Sequence, residues 1–482
     1  MTRLLQRGWL PGLRVELRAG SRPLVIAMGL SMLFVGLAAG RYVSRIEPGY
    51  IPKPLVLLVG LAGGVILFTV TAEQVFLVWL ILAPLVQAVP ATSTGHALDL
   101  ALFTAPAAIV LCQALLRPGN GRTREWFDYL PGAYVLLITG SFFVTTNLWH
   151  TATVSSFKVL FLNVALGPLL YYFIAFRATE WLTATRVVRV FLLSVAVEAL
   201  MSIVEWATGW NLWHDDVWHV GLARSVGTLA NPATLGAFVG AGVVVSIAIL
   251  AWNGPEELRR LSKAVILLGV PGVMFTLTRG PILATAAVAI AVLILNSKTR
   301  VMAVGALVVA ALALVVLWPH ITNSTVYQTR VAKTSNVQAR VILQDLSLLL
   351  AERRPLLGWG YESFDRVKTE SFKADARALS LSVDETTSHD TYLTILVQYG
   401  GLGLLLLLLP WATLSVLSLR RARAPSPERW LLVGAPAAVV VIVLTGATID
   451  YRFFSYVPAM VWLFLGLVRP VVREGDVATF AS

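Results

Sequence analysis

The chain has 482 residues, 57% hydrophobic and only 13% charged, with a mean hydropathy of +0.76. A soluble domain carries about 25% charge, so a soluble nucleic-acid-binding protein is excluded despite the net charge of +12. The one cysteine, Cys112, excludes an intrachain disulfide and a cysteine metal cluster.

The N-terminal stretch 1–22 holds Arg3, Arg7, Arg14, Arg18 and Arg22 and reads as a basic cytoplasmic tail. The apolar run after it continues to about Gly40, longer than a signal-peptide core, and reads as a retained first span. Such runs recur as far as Leu467. Lipid offers the backbone no hydrogen bonds, so a spanning segment is a helix or part of a closed barrel. The runs are continuous and lack two-residue alternation, which leaves helices. The expected fold is an all-α membrane protein of about fourteen transmembrane helices. They fall near 23–42, 54–70, 74–90, 97–116, 130–147, 157–176, 185–206, 232–252, 262–278, 281–296, 300–318, 390–418, 429–447 and 452–468.

Lys and Arg placement orients the bundle. With the N-terminus in the cytoplasm, the clusters Arg117/Arg122/Arg124, Arg177/Arg186/Arg189, Arg259/Arg260/Lys263 and Arg420/Arg421/Arg423/Arg429 all lie inside. Spans 1–11 then occupy 23–318, and 319–389 is a large extracytoplasmic loop. Spans 12–14 occupy 390–468, and 469–482 is a cytoplasmic tail. Within the long loop, VQARVILQDLSLLLAE at 337–352 has a helical pattern of apolar residues. Pro355, Gly358 and Gly360 end it, and a second helix is expected over roughly 364–378.

Three arginines fall on the outer face. Arg279 sits in the LTRGP turn between two apolar runs, where a cation is expensive and points to an anion partner inside the bundle. Arg224 precedes the eighth span in ARSVGTLANPATLGAF, and Arg340 lies on the helix of the long loop. Arginine binds phosphate bidentately and stays charged at any working pH. Each alone could be a solvated surface residue; three on one face make the stronger case. His389 closes the long loop, where a histidine can move protons, against the reading of a lone histidine as a packing or interfacial residue. His214, Asp215, Asp216 and His219 could suggest a metal site, but their spacing matches no strong metal motif. Trp206, Trp210, Trp213 and Trp218 crowd the same loop, as an interfacial belt or as sugar-stacking rings.

The ordered set TRG, QAR, PLLGWGYESF and SHDTYLTILVQYGGLGLLL resembles the O-antigen ligase and polymerase superfamily, the WaaL/Wzy type. RSVGTLANPATLGAF resembles its upstream Gly-Thr…Asn-Pro…Leu-Gly stretch, so the likeness covers about 224–405. The resemblance implies a GT-C-like bundle in the bacterial cytoplasmic (inner) membrane, with its active site outside. It implies an inverting, metal-independent glycosyltransferase without cofactors. The donor is a glycan on undecaprenyl pyrophosphate; the acceptor is a hydroxyl of a glycan or lipid-linked molecule, and the remaining partners are membrane lipids. Arg279 and Arg340 then match the family's pyrophosphate-binding arginines, Arg224 matches more weakly, and His389 matches its catalytic histidine. Where the family often has His-Asn, this chain has His389-Asp390. An oligosaccharyltransferase acting on protein hydroxyls would look alike. A lipid or polysaccharide transporter would show inverted repeats, and no clear repeat is present. A peptidoglycan-polymerising glycosyltransferase would use an outer aspartate; Asp345, Asp365 and Asp384 lack the matching context.

Overall fold

The computed structural model describes residues 71–87, 122–149, 160–210, 224–301, 304–305, 322–323, 335–364, 367, 388–451 and 454–480. The expected spans at 23–42, 54–70, 97–116 and 300–318 lie wholly or largely outside them, as do most of the 364–378 helix and the 211–223 part of the Trp/His/Asp loop. A helix occupies the place of each remaining expected span, and no strand occurs among the described residues. In chain order these are α1 (Ala72–Gln87), α2 (Leu130–Trp149), α3 (Leu166–Phe176), α4 (Ala184–Thr208), α5 (Pro232–Ala251), α6 (Glu256–Phe275) and α7 (Arg279–Leu295). The loop helix α8 (Ser335–Arg353) follows, then α9 (Thr391–Arg421), α10 (Arg429–Gly446) and α11 (Tyr456–Phe480). A 3-10 turn, Trp126–Tyr129, leads into α2, and a π turn, Phe161–Ala165, leads into α3. Five stretches are long and apolar enough to cross a membrane by themselves: Trp126–Thr145, Ala184–Thr208, Pro232–Ala251, Thr391–Arg421 and Arg429–Gly446.

The core forms around α5, which packs on α4, α6, α7 and α10. Its sequence, PATLGAFVGAGVVVSIAILA, is apolar on every side, as a helix surrounded by others must be. Small residues let neighbouring backbones approach. A Cβ at Gly240 would lie 2.0 Å from Thr285 Oγ1 of α7, and one at Gly242 would lie 2.5 Å from Val195 of α4. Ring contacts fill the adjoining layer: Phe191 meets Phe238 at 5.3 Å and Phe464 at 5.0 Å.

Two prolines inside helices leave carbonyls without their usual donor. Pro84 of α1 frees the Leu80 carbonyl, and the Tyr456 hydroxyl of α11 donates to it at 2.7 Å. Pro436 of α10 frees the Leu432 carbonyl, and the Ser418 hydroxyl of α9 donates to it at 2.8 Å. Each break in one helix is therefore closed by a hydroxyl from another.

Three boundaries differ from expectation. α6 begins at Glu256, six residues earlier than read, because Glu256 pairs with both Arg259 and Arg260 and supports a charged first turn. The span read as continuous over 390–418 is broken at Gly400, where φ is +66°. The stretch read as a tail after 468 continues as helix to Phe480. Arg469 is buried there and binds Asp128 through Nε–Oδ1 at 2.9 Å and Nη2–Oδ2 at 2.6 Å. The Tyr171 hydroxyl donates to the same carboxylate. This ion pair clamps the entry of α2 to α11.

Candidate active site

The break at Gly400 explains the glycine-rich motif of the long loop. A helix interrupted inside a bundle exposes backbone groups that need partners. Residues 355–360 supply them. Trp359 N donates to Val397 O at 2.9 Å and Gly360 N to Gln398 O at 2.8 Å. In return, Gly401 N donates to Pro355 O at 2.7 Å and Leu402 N to Leu356 O at 3.2 Å. The two backbones come so close that a Cβ at Gly358 would lie 2.5 Å from the Gln398 carbonyl, and one at Gly400 would lie 2.2 Å from that of Leu356. Both glycines have φ of +66°. The PLLGWG segment thus docks by backbone onto the QYGG segment of α9. A small core of Leu350, Ala351, Phe364, Val367 and Val397 seals the junction.

The turn at 276–278 joins α6 to α7 and is held from the side by Arg224. Its Nε donates to Thr276 O at 3.2 Å and its Nη2 to Thr278 Oγ1 at 2.6 Å. Ser225 N donates to Phe275 O at 3.1 Å, and Ser202 Oγ to Gly272 O at 2.9 Å. The carbonyls that end α6 are thereby satisfied by residues outside the helix. Thr278 is the N-cap of α7, so Arg279 is its first residue. Arg279 is exposed rather than embedded among the helices. The positive end of the α7 dipole adds to its charge there.

His389 is held by a second hydrogen-bonded assembly. Its φ is +54°, a strained value for a residue with a Cβ, and its neighbours fix it on both sides. Asp390 Oδ1 accepts from Tyr392 N at 2.8 Å and Leu393 N at 3.0 Å, which makes it the N-cap of α9. Burial pushes the Asp390 carboxyl above the ordinary carboxylate range, and the nearby Asp450 charge adds to this. Asparagine makes the same cap, which gives position 390 a structural role compatible with either residue. On the other side, Ser388 Oγ meets Thr394 Oγ1 at 2.7 Å, and Thr394 Oγ1 donates to the buried Asp450 at 3.0 Å.

One connection anchors both assemblies. The loop between α10 and α11 meets α9 through Thr391 N to Ile449 O at 3.1 Å and Tyr451 N to Thr391 Oγ1 at 3.0 Å. One residue before Ile449, Thr448 abuts the Arg279 turn, since a Cβ at Gly280 would lie 2.3 Å from its Oγ1. Arg224, Arg279 and His389 therefore belong to one connected framework. Arg340 is held differently. It is exposed on α8, ten residues before Leu350, or about 15 Å along the helix from the docking core. His214, Asp215, Asp216, His219, Trp213 and Trp218 lie outside the described residues. Trp206 stacks on Phe275, centroids 4.2 Å apart, at the end of α4.

Several site residues went unread in the sequence. Glu198 and Glu205 are buried in α4 and bind the 226–228 backbone. Two carboxylates seven residues apart in an apolar span share a helix face, and an ionisable residue inside a span is a functional signal. Asp450 and Thr448 carried no comparable signal, because their partners are distant in sequence.

No curated protein matches the chain. Residues 264–408 match a family model described as O-antigen ligase. That segment contains the Arg279 turn, Arg340, the docked PLLGWG segment and His389, and over these residues the chain is similar to the O-antigen ligase family, in support of the superfamily resemblance.

Proposed function

We propose that this protein is an inverting, metal-independent glycosyltransferase of the membrane's outer face. It moves a glycan from undecaprenyl pyrophosphate to an acceptor hydroxyl, as a polysaccharide polymerase or an O-antigen ligase. The observation that carries this reading is the shared anchor of Arg279 and His389 on the loop between α10 and α11. Pyrophosphate is an activated leaving group, so the main task is to stabilise departing negative charge. Arg279 and Arg340 do this by charge-assisted bonds to the phosphates, with Arg224 as a third cation beside the turn. His389 takes the proton of the acceptor hydroxyl as the bond from the sugar C1 to the acceptor oxygen forms and the bond to pyrophosphate breaks. The 319–389 segment is extracytoplasmic and covers the site.

The test is transfer from an undecaprenyl-pyrophosphate glycan by purified His389→Ala, with donor binding measured in parallel. General-base assistance contributes about 10²–10⁴-fold, so turnover should fall by that order while donor binding persists. Wild-type turnover in the variant would remove His389 from the mechanism. Full activity in both Arg279→Ala and Arg340→Ala would remove the pyrophosphate site.

A further inference from the structure

The backbone at 224–231, which leads into α5, is irregular where it passes the buried ends of the helices. Its N–H groups need acceptors there, and two carboxylates provide them. Glu205 Oε2 accepts from Val226 N and Gly227 N, both at 2.9 Å. Glu198 accepts from Thr228 N at 3.0 Å and also from the Thr228 hydroxyl. Ser225 Oγ donates to Ser202 O at 2.8 Å, between the two carboxylates on the same helix. Glu198, Ser202, Glu205, Ser225 and Thr228 are all buried. Gly227 is required twice over. Its φ is +55°, and a Cβ there would lie 2.7 Å from Glu198 Oε2.

This strap ends at Arg224, which is seated on Thr276 O and Thr278 Oγ1. Only Ser225 separates Arg224 from the first N–H held by Glu205, so movement of the strap passes directly to the guanidinium. Thr278 in turn begins α7 at Arg279. We propose that Glu205, seconded by Glu198, is a positioning residue for the donor site: it holds the 225–228 strap and thereby seats Arg224 against the Arg279 turn. The inference rests on the reading of Arg224 and Arg279 as pyrophosphate ligands. It assigns Glu205 an acceptor's task rather than a charge-pairing one. Glutamine offers a carbonyl oxygen in the same place and should serve; alanine leaves two N–H groups without acceptors.

The experiment uses the full chain in lipid nanodiscs and undecaprenyl pyrophosphate as probe. Glu205→Gln should bind it within about threefold of wild type, and Glu205→Ala at least tenfold more weakly. Glu205→Ala combined with Arg224→Ala should bind no more weakly than Arg224→Ala alone, because the two act through one group. Hydrogen exchange gives a readout free of ligand. Glu205→Ala should loosen the amides of both 225–228 and 276–279, and Glu205→Gln should loosen neither. Gly227→Ala enters the strap from its other side and should reproduce the alanine pattern, which keeps the test open if Glu205→Ala fails to fold. Wild-type binding by Glu205→Ala, equal weakness in the Gln variant, additive losses with Arg224→Ala, or exchange confined to 225–228 would each overturn the inference. A wild type that does not bind the probe would instead defeat the pyrophosphate reading, while the exchange pattern would still decide the role of Glu205.

Discussion

Gly400→Ala should be among the most damaging single-methyl additions in the molecule, and its effect can be divided into parts. The new Cβ would lie 2.2 Å from the Leu356 carbonyl carbon and oxygen, backbone atoms that cannot turn aside. The residue would also keep a φ of +66°, which costs roughly 1–2 kcal/mol for a residue with a Cβ. Separating the backbones breaks four hydrogen bonds, each worth about 0.5–1.5 kcal/mol net, or roughly 2–6 kcal/mol together. The expected loss is about 3–8 kcal/mol, most of it from undocking. Two other glycines isolate the terms. Gly209→Ala has the same φ but open space around the new methyl, so it should cost only the roughly 1–2 kcal/mol of backbone strain. Gly140→Ala lies within α2 with nothing nearby and should be neutral or stabilising by up to about 1 kcal/mol. Unfolding in detergent measures the series, and limited proteolysis of the 319–389 loop reports undocking directly. If Gly400→Ala is as stable and as protease-resistant as Gly209→Ala, the docking of the two motifs is wrong.

Tyr456→Phe should destabilise by about 1–3 kcal/mol by leaving the Leu80 carbonyl unsatisfied. Pro84→Ala restores a helical donor, so a double-mutant cycle should show that cost shrinking to under about 1 kcal/mol. Removing Arg469 alone should cost about 3–5 kcal/mol in an equilibrium unfolding assay, because it strands a buried carboxylate; Arg469→Met with Asp128→Leu should recover much of the loss. Burial raises the Asp390 carboxyl in the folded chain above its ordinary value of 3.8, so the native state holds the proton more tightly. Its contribution to stability must fall as pH rises from near 4 through the raised value and then level off. Asp390→Asn keeps the cap and should remove that fall in a pH series of melting temperatures; an unchanged profile would refute the assignment.

Local pattern made some of this legible and long-range pairing hid the rest. α5 is readable from an apolar run rich in glycine and alanine, and Arg279 from a cation between two such runs. Gly358 and Gly360 are readable as helix breakers. Their second role is not, since the partner backbone at 397–402 lies some forty residues away and contributes no periodic signal. Arg469 looks like a basic tail residue because Asp128, its partner, is 341 positions distant. Asp390 did carry a local signature, a capping residue immediately before an apolar run. It was obscured by the histidine beside it.

The loop between α10 and α11 bears on how this site could be transplanted. The segment 264–408 holds Arg279, Arg340 and His389, and looks like a module that could be exchanged between relatives. Yet Thr448 and Ile449 lie beyond its end, and Glu198, Glu205 and Arg224 before its start. A chimera cut at the segment's borders would carry Arg279, Arg340 and His389 and leave behind Arg224 and the surfaces that aim them. Functional exchange should require donor sequence from about 198 to 451, so that both the strap and the α10–α11 loop travel with the residues they orient.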